Sequence, residues 1–471
     1  MKDFQLAWRN IWRNKRRTLI TAASIFFAVF FALVMRSFQL GSYDSMYKNV
    51  IESYSGYMQI QHQDYTEEPI LDNCFVADPE MIRKVKSDPN IIDVVPRLES
   101  YALAASGSRT QGVMVLGVDP EKEEKLSGMK ERLVKFKLAD SAIESLKLSD
   151  IPDRTKRLLD LFRNEAYSST GRMMLDLGIS VDDSAAVLPL LRENASFLNE
   201  YLSVSSPEGV LIGSGLSEFL RINIGDTLVL MGQGYHGTSA AGNFIVAGII
   251  KVPSPDIDKR IVYLPLETAR DLFAAHGLAT SAVLSMKDLN DKAINATAGR
   301  LKSLVSLPLT VRTWQEMNAL LLNQMEADNR SGMIMIGILY LVIAFGVFGT
   351  VLMMMAERRR EFGMLVSIGM QKRKLAKVVT IEMFLMGLLG VISGIIASLP
   401  PVIYGHIRPL RFTGEFARMY EDYGMEPIMP TLLPDTYYLW QTVVVMIIIS
   451  IAILLSVRKI FSINVINSLK A

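Results

Sequence analysis

Four stretches of the chain are apolar and uncharged for long enough to cross a bilayer, and the interval between the first two is dense in charge. The first runs from Thr18 to Met35, 18 residues, which at about 1.5 Å each span roughly 27 Å against a hydrocarbon core of about 30 Å. A transmembrane helix is therefore expected within 18–40. Arg36 at its far end reads as a side chain snorkelling to the interface. No small-x-small cleavage site follows the long apolar run, so a retained anchor is preferred to a cleaved signal. The second stretch, Ser331–Ala356, holds 26 residues and exceeds the hydrocarbon thickness, which implies tilt or a stalk. The third is expected over 378–401, with Pro400-Pro401 ending the helix. The fourth, 437–457, opens on Tyr437, Tyr438 and Trp440, an aromatic belt.

Between the first two spans, residues 41–330 switch to the short alternating runs of a water-soluble α+β domain. Strands are predicted at 57–61, 91–101 and 112–118 with a helix at 79–87. A second set at 261–265, 280–286 and 309–313 alternates with helices at 266–275 and 288–304. Residues 121–204 are rich in Leu, Lys, Glu and Arg and predict several helices, either as a substrate- or partner-binding element or as a structural insertion. The fold class is thus a membrane protein with four transmembrane α-helices and a large α+β extracytoplasmic domain between helices 1 and 2.

Net charge is only +2, with no basic patch interleaved with aromatics, so nucleic acid is not indicated as a partner. The basic residues decide orientation instead. Lys2, Arg9, Arg13, Lys15, Arg16 and Arg17 precede span one; Arg358, Arg359, Arg360, Lys372, Arg373, Lys374 and Lys377 fill the 357–377 link; Arg458 and Lys459 open the 458–471 tail. The 402–436 loop is more acidic than basic. Both termini are placed in the cytoplasm and 41–330 outside it. Residues 1–17 set Phe4, Trp8, Ile11 and Trp12 at helical spacing, an amphipathic helix along the interface.

Chemistry is sparse. The single cysteine, Cys74, excludes an internal disulfide and reads as a plain thiol, although Leu71-Asp72-Asn73-Cys74 superficially resembles a lipid-attachment sequence. His62, His236, His276 and His406 are scattered without ligand or triad spacing. Gly232, Gly234 and Gly237 fit a hairpin turn better than a phosphate loop, Gly213-Ser214-Gly215 lacks the following lysine, and no GxxxxGK[ST] occurs. Neither catalysis nor a cofactor or metal is expected in the chain. Glu382 in span three suits an interface or helix-packing role better than proton or ion transport. The 357–377 link has a charged start, an apolar middle and spaced glycines, which favours a docking element over a plain connector.

The stretch ERRREFGMLVSIGMQKRKL, followed by Glu382 and a span containing Gly387, Gly390 and Gly394, resembles the coupling region of the FtsX-like, MacB-like (type VII, mechanotransmission) family of ABC transporter permeases. LAWRNIWRNKRRT at the start, the stretches Val210–Leu230, Phe244–Ile249 and Tyr263–Phe273, and the tail from Arg458 agree, although the proline usual in that tail is replaced near Asn464. The resemblance implies a cytoplasmic helix contacting a separate dimeric ATPase, which binds the ATP and Mg. It assigns ATPase coupling to Glu357, Arg358, Arg360, Glu361, Phe362, Gly363, Leu365, Ile368 and Gly369, and transmembrane packing to Glu382, Gly387, Gly390 and Gly394. It also implies a two-lobed outer domain, the flanking halves forming an α+β lobe and the middle a more β-rich one. In plan the chain is most similar to lipoprotein-releasing permeases of the bacterial inner membrane, with a second permease copy or related permease, membrane lipid, a lipoprotein and a periplasmic carrier as partners. The alternatives are an efflux permease working with an adaptor and outer-membrane channel, a regulator of a cell-wall hydrolase, and a receptor or scaffold without an ATPase. Substrate contacts in the outer domain are not assigned.

Overall fold

The structure, a computed structural model, describes residues 2–13, 15–422 and 426–461. It divides into two compact units: the domain, Ser45–Leu322 with Arg411–Ile428, and a helical unit formed by the other described residues.

Among the described residues, four helices are long and apolar enough to cross a membrane. Three of them, Lys15–Val50, Ala319–Glu357 and Lys372–Ile407, outrun the hydrocarbon core of a bilayer. Lys15–Val50 and Ala319–Glu357 hold 36 and 39 residues, roughly 54 and 58 Å at about 1.5 Å per residue, so excess length, expected of the second, extends to the first. In the helical unit their outer parts are joined by polar side chains. Arg36 donates to Gln39 and to Asn329 at 2.7 and 2.8 Å, and the Tyr43 hydroxyl bonds Asp328. Arg36 therefore ties two helices together, whereas a snorkelling reading would leave it alone at the interface. The third helix, Lys372–Ile407, runs through Pro400 and Pro401 instead of stopping there. Proline costs a helix its hydrogen bonds, but its fixed φ is helical, and the turn beyond is held by Val402, fully buried, and by Thr431, whose hydroxyl donates to the Val402 carbonyl at 2.6 Å. The fourth is Thr436–Phe461.

Glycines set the spacing of this unit. A methyl group on Gly390 would lie 2.7 Å from Ile25 Cβ and 2.8 Å from the Ala22 carbonyl; on Gly394, 2.8 Å from Val29 Cβ. Four residues apart, the pair presents one bare helix face to the first helix, the small-xxx-small device by which membrane helices approach closely. Gly387 does the same toward Ile449 of the fourth helix.

The domain is built on nine strands: β1 (Met58–His62), β2 (Ile91–Ser106), β3 (Arg109–Val118), β4 (Gly209–Gly213), β5 (Thr227–Gln233), β6 (Ser239–Ile250), β7 (Ile261–Pro265), β8 (Ser281–Met286) and β9 (Leu309–Thr313). Their order is β9-β1-β8-β2-β3-β7-β4-β6-β5, and β5 pairs back onto β2, closing six strands into a barrel. Strand β2 makes this possible through its 16 residues. Its first half pairs with β8, from Arg97↔Ser281 onward, and its second half with β5, Ala102↔Gly232 to Ala105↔Val229. Leu98, Ala104, Val113, Val115, Ile212, Leu230, Val246 and Val262 belong to the barrel core. The flanking lobe packs Met58, Ile60, Val94, Leu284 and Val311 with Val85, Ile294 and Leu301 of the helices Pro79–Lys86 and Asp291–Leu304. Two lobes exist, as expected, but they share β2. Strands β3 and β7, expected in the flanking lobe, belong to the barrel. Their alternation could not reveal this, because lobe membership depends on pairing partners distant in sequence.

Gly234 to Thr238 turn β5 into antiparallel β6, so the glycine-rich run is a hairpin. Gly213-Ser214-Gly215 is occupied by the chain itself: Asp258 accepts from the Ser214 hydroxyl at 2.9 Å and the Gly215 amide at 2.8 Å. Residues 121–204 form five helices, the first Pro120–Ser127 and the last Val181–Ala195. They hold a core of their own around Leu138, Leu146, Leu159, Met173, Leu177 and Leu191. Cys74 is half-buried, and burial pushes its thiol up to about 11.

Gly390→Ala is expected to destabilise the helical unit by about 1–3 kcal/mol through overpacking. Gly337→Ala, with nothing within 4 Å of the added methyl, should leave the heat-unfolding midpoint in detergent micelles unchanged or slightly raised, as alanine is the better helix former. Equal midpoints for the two variants would refute close packing at Gly390.

Candidate functional site

The link between the second and third long helices folds as a short helix, Arg359–Ser367, with Arg358 at its N-cap. Gly369, at φ +105°, makes the left-handed turn that ends it, the Met370 amide donates to the Leu365 carbonyl at 3.0 Å, and Gln371 caps the third helix. Sequence explains the break: two helices need a sharp stop between them, and glycine supplies it without steric cost.

Arg358 decides how this helix is held. Its Nη1 lies 2.9 and 2.8 Å from the two carboxylate oxygens of Glu382, and its Nε donates to Glu361 at 3.1 Å. Both side chains of the Arg358–Glu382 pair are about 5% exposed. The guanidinium also stacks on Phe362, 5.0 Å from the ring centroid, and Phe362 is completely buried within the apolar cluster that includes Ile11, Met355, Leu375 and Met383. Glu382 sits ten residues into its helix, about 15 Å along the axis, because that helix begins at Lys372. An isolated carboxylate there would be costly, and the arginine supplies the opposite charge and the hydrogen bonds that it needs.

The predicted coupling residues therefore separate into two faces. Arg358, Phe362 and Gly363 turn inward. Glu357, Arg360, Glu361, Leu365, Ile368 and Gly369 are exposed, joined by Met364, and Ile368 is 85% exposed. Charge spacing alone could not single out Arg358 from its two arginine neighbours. The one available signal was Glu382, a carboxylate in an apolar helix that required a cation.

The N-terminal helix Lys2–Arg13 buries Ala7 and Ile11 and exposes Phe4, Trp8 and Trp12, with Arg13 Nη2 3.6 Å from Glu361. Its aromatic face suits the bilayer interface. Among the described residues no group of three or more His, Cys, Asp or Glu side chains is placed to hold a metal ion.

Removing one partner of the buried pair, by Glu382→Ala or Arg358→Ala, is expected to cost about 3–5 kcal/mol, whereas Arg358→Met with Glu382→Leu should be far milder. A double-mutant cycle on unfolding in micelles measures this, and additive effects would show that the two groups do not act as a pair.

Residues 333–465 match the family model for the FtsX-like permease C-terminal region. The lipoprotein-releasing system transmembrane protein LolC of Xylella fastidiosa (strain Temecula1) is 23% identical over 312 residues, 66% of this chain and 61% of that protein. LolC of Neisseria meningitidis serogroup B is 20% identical over 195 residues, 40% of this chain and 46% of that one. The chain thus aligns with less than two thirds of either relative. Among solved structures, the periplasmic region of MacB from Actinobacillus actinomycetemcomitans aligns with 59% of this chain and 97% of its own length, at 11% identity and a TM-score of 0.32. The extracellular domain of the noncanonic ABC-type transporter YknZ from Gram-positive bacteria aligns with 55% of this chain and all of its own length, at 10% identity and a TM-score of 0.28. The matched region spans most of the last three membrane-length helices and the short helix pinned between two of them by Arg358 and Glu382, so this part of the chain is similar to the C-terminal region of FtsX-like permeases.

Proposed function

We propose that this chain is the multi-pass inner-membrane subunit of an ABC transporter. A separate ATPase, which binds the ATP and Mg, docks on the short helix Arg359–Ser367 and moves the domain that lies in sequence between the first and second long helices. The observation that carries this reading is the two-faced short helix. Its inner face is anchored by a buried ion pair and a buried phenylalanine, while Met364, Leu365 and Ile368 form an exposed apolar ridge. Exposed apolar ridges on rigid supports are typical of docking surfaces, and a helix held this firmly transmits a push to the helices on either side.

The basic residues of the 1–17, 357–377 and 458–471 segments support a cytoplasmic position for both termini and the docking helix, and an extracytoplasmic one for residues 41–330. The work done there is release of lipoproteins from the inner membrane. That substrate class is supported by similarity to LolC, whose name describes a lipoprotein-releasing system. The chain then acts with a second permease copy or a related permease, because a dimeric ATPase offers two docking surfaces.

Affinity purification from native membranes should recover a P-loop ATPase with the chain. Leu365→Glu with Ile368→Glu should cut that recovery at least about tenfold, as expected for hot-spot loss, while leaving the unfolding midpoint unchanged, since both residues are exposed. Absence of any ATPase, or recovery unaffected by the double variant, would sink the coupling proposal. In proteoliposomes of the recovered complex, ATP should drive release of a fluorescent acylated lipopeptide; ATP-driven movement of small amphiphilic solutes with no lipopeptide release would reassign the substrate to the efflux class.

A further inference from the structure

The segment between the third and fourth long helices includes a compact loop that packs as part of the domain unit, Arg411–Ile428. It is closed on itself: the Phe412 amide donates to the Pro427 carbonyl at 2.8 Å, and Phe412 packs on Tyr420, centroids 4.8 Å apart. Both ends of this closed loop are ion-paired to the insertion. Arg411 bonds Asp176 and lies 3.0 Å from Glu165, with its guanidinium carbon 5.0 Å from the Phe162 ring centroid. Glu426 lies 3.5 Å from Arg172, which also reaches Asp176 at 3.5 Å.

Arg411 is only 15% exposed and Asp176 6%. Charges this sheltered are costly unless each finds its partner. Burial opposes ionisation of Glu165, yet Lys251, 3.4 Å away at the end of β6, and Arg411 hold its carboxyl below the usual range. A loop that merely joined two helices would need neither a closed shape nor a sheltered arginine shared by two acids of another element.

We infer that Arg411–Ile428 is a strap that fastens the insertion, residues 121–204, to the third and fourth membrane-length helices. The flanking lobe, which shares β2 with the barrel, follows the first helix and leads into the second, so the strap gives the insertion a mechanical attachment of its own. Its use in transport rests on the function proposed above; its existence does not. The insertion has a separate core, so it is a body that the strap can move without unfolding the barrel.

Hydrogen exchange on the full chain in lipid nanodiscs tests the strap. Arg411→Met should raise exchange about tenfold or more, the scale of a local opening, in both the 412–422 and 165–177 segments while β4 and β6 keep wild-type protection. Arg411→Lys, which keeps the charge, should fall between. A rise confined to the loop, or none in either segment, overturns the inference. A second arm adds the co-purified ATPase with ATP and vanadate. Wild type should show altered exchange in barrel and insertion, and Arg411→Met should retain the barrel response and lose that of the insertion. An insertion that still responds in Arg411→Met overturns the strap, whereas a wild type in which neither part responds counts against the proposed function and leaves the first arm to decide the strap.

Discussion

A guanidinium and a carboxylate facing each other inside an apolar helix unit constrain most of what surrounds them. Arg358 and Glu382 lie on different helices, so neither charge is tolerable unless the turn between those helices places them together. That requirement sets how deeply the short helix sits and which of its faces turns inward. Phe362 follows one turn later into the apolar cluster, and Met364, Leu365 and Ile368 are left outside. The exposed ridge is thus a by-product of satisfying the charge.

The same economy appears along the third helix. Glu382 meets the short helix, Gly387 meets the fourth helix, and Gly390 and Gly394 meet the first. One helix in contact with every other element of its surroundings is suited to pass displacement between them. In the domain, β2 has the corresponding position, being long enough to serve two lobes. Arg97, near its middle, is buried in a bidentate pair with Glu123, the two bonds measuring 2.9 and 2.6 Å, and bonds the Tyr54 carbonyl where the first long helix gives way to the domain. Buried arginine pairs therefore mark the junctions in both units, where fixed geometry between elements matters most.

Much of the plan was legible in the residues. Uncharged runs announced four long helices because a bilayer core excludes charge, and alternation located β1, β7, β8 and β9 to within a residue or two. The hairpin at Gly234 and the helical content of 121–204 followed from local chemistry. The failures have physical causes. Pro400-Pro401 was expected to end a helix, yet neighbouring packing holds the turn beyond it. Arg36 was assigned to the interface because its partner, Asn329, is almost three hundred positions away. Strands β3 and β7 were placed in the wrong lobe because strand partners are chosen by barrel closure.

By itself the sequence determined what is local or set by the solvent: which segments are apolar enough to enter lipid, which enter water, and that a charged, glycine-spaced link joins two spans. Tertiary structure alone decided that Arg358 is buried, that Glu382 is its partner, that β2 closes a barrel while holding a second lobe, and that Arg411 reaches the acids of the insertion. These are pairings of charges and strands far apart in the chain. Such contacts are selected by the free energy of burying matched groups together, which no neighbouring residues encode.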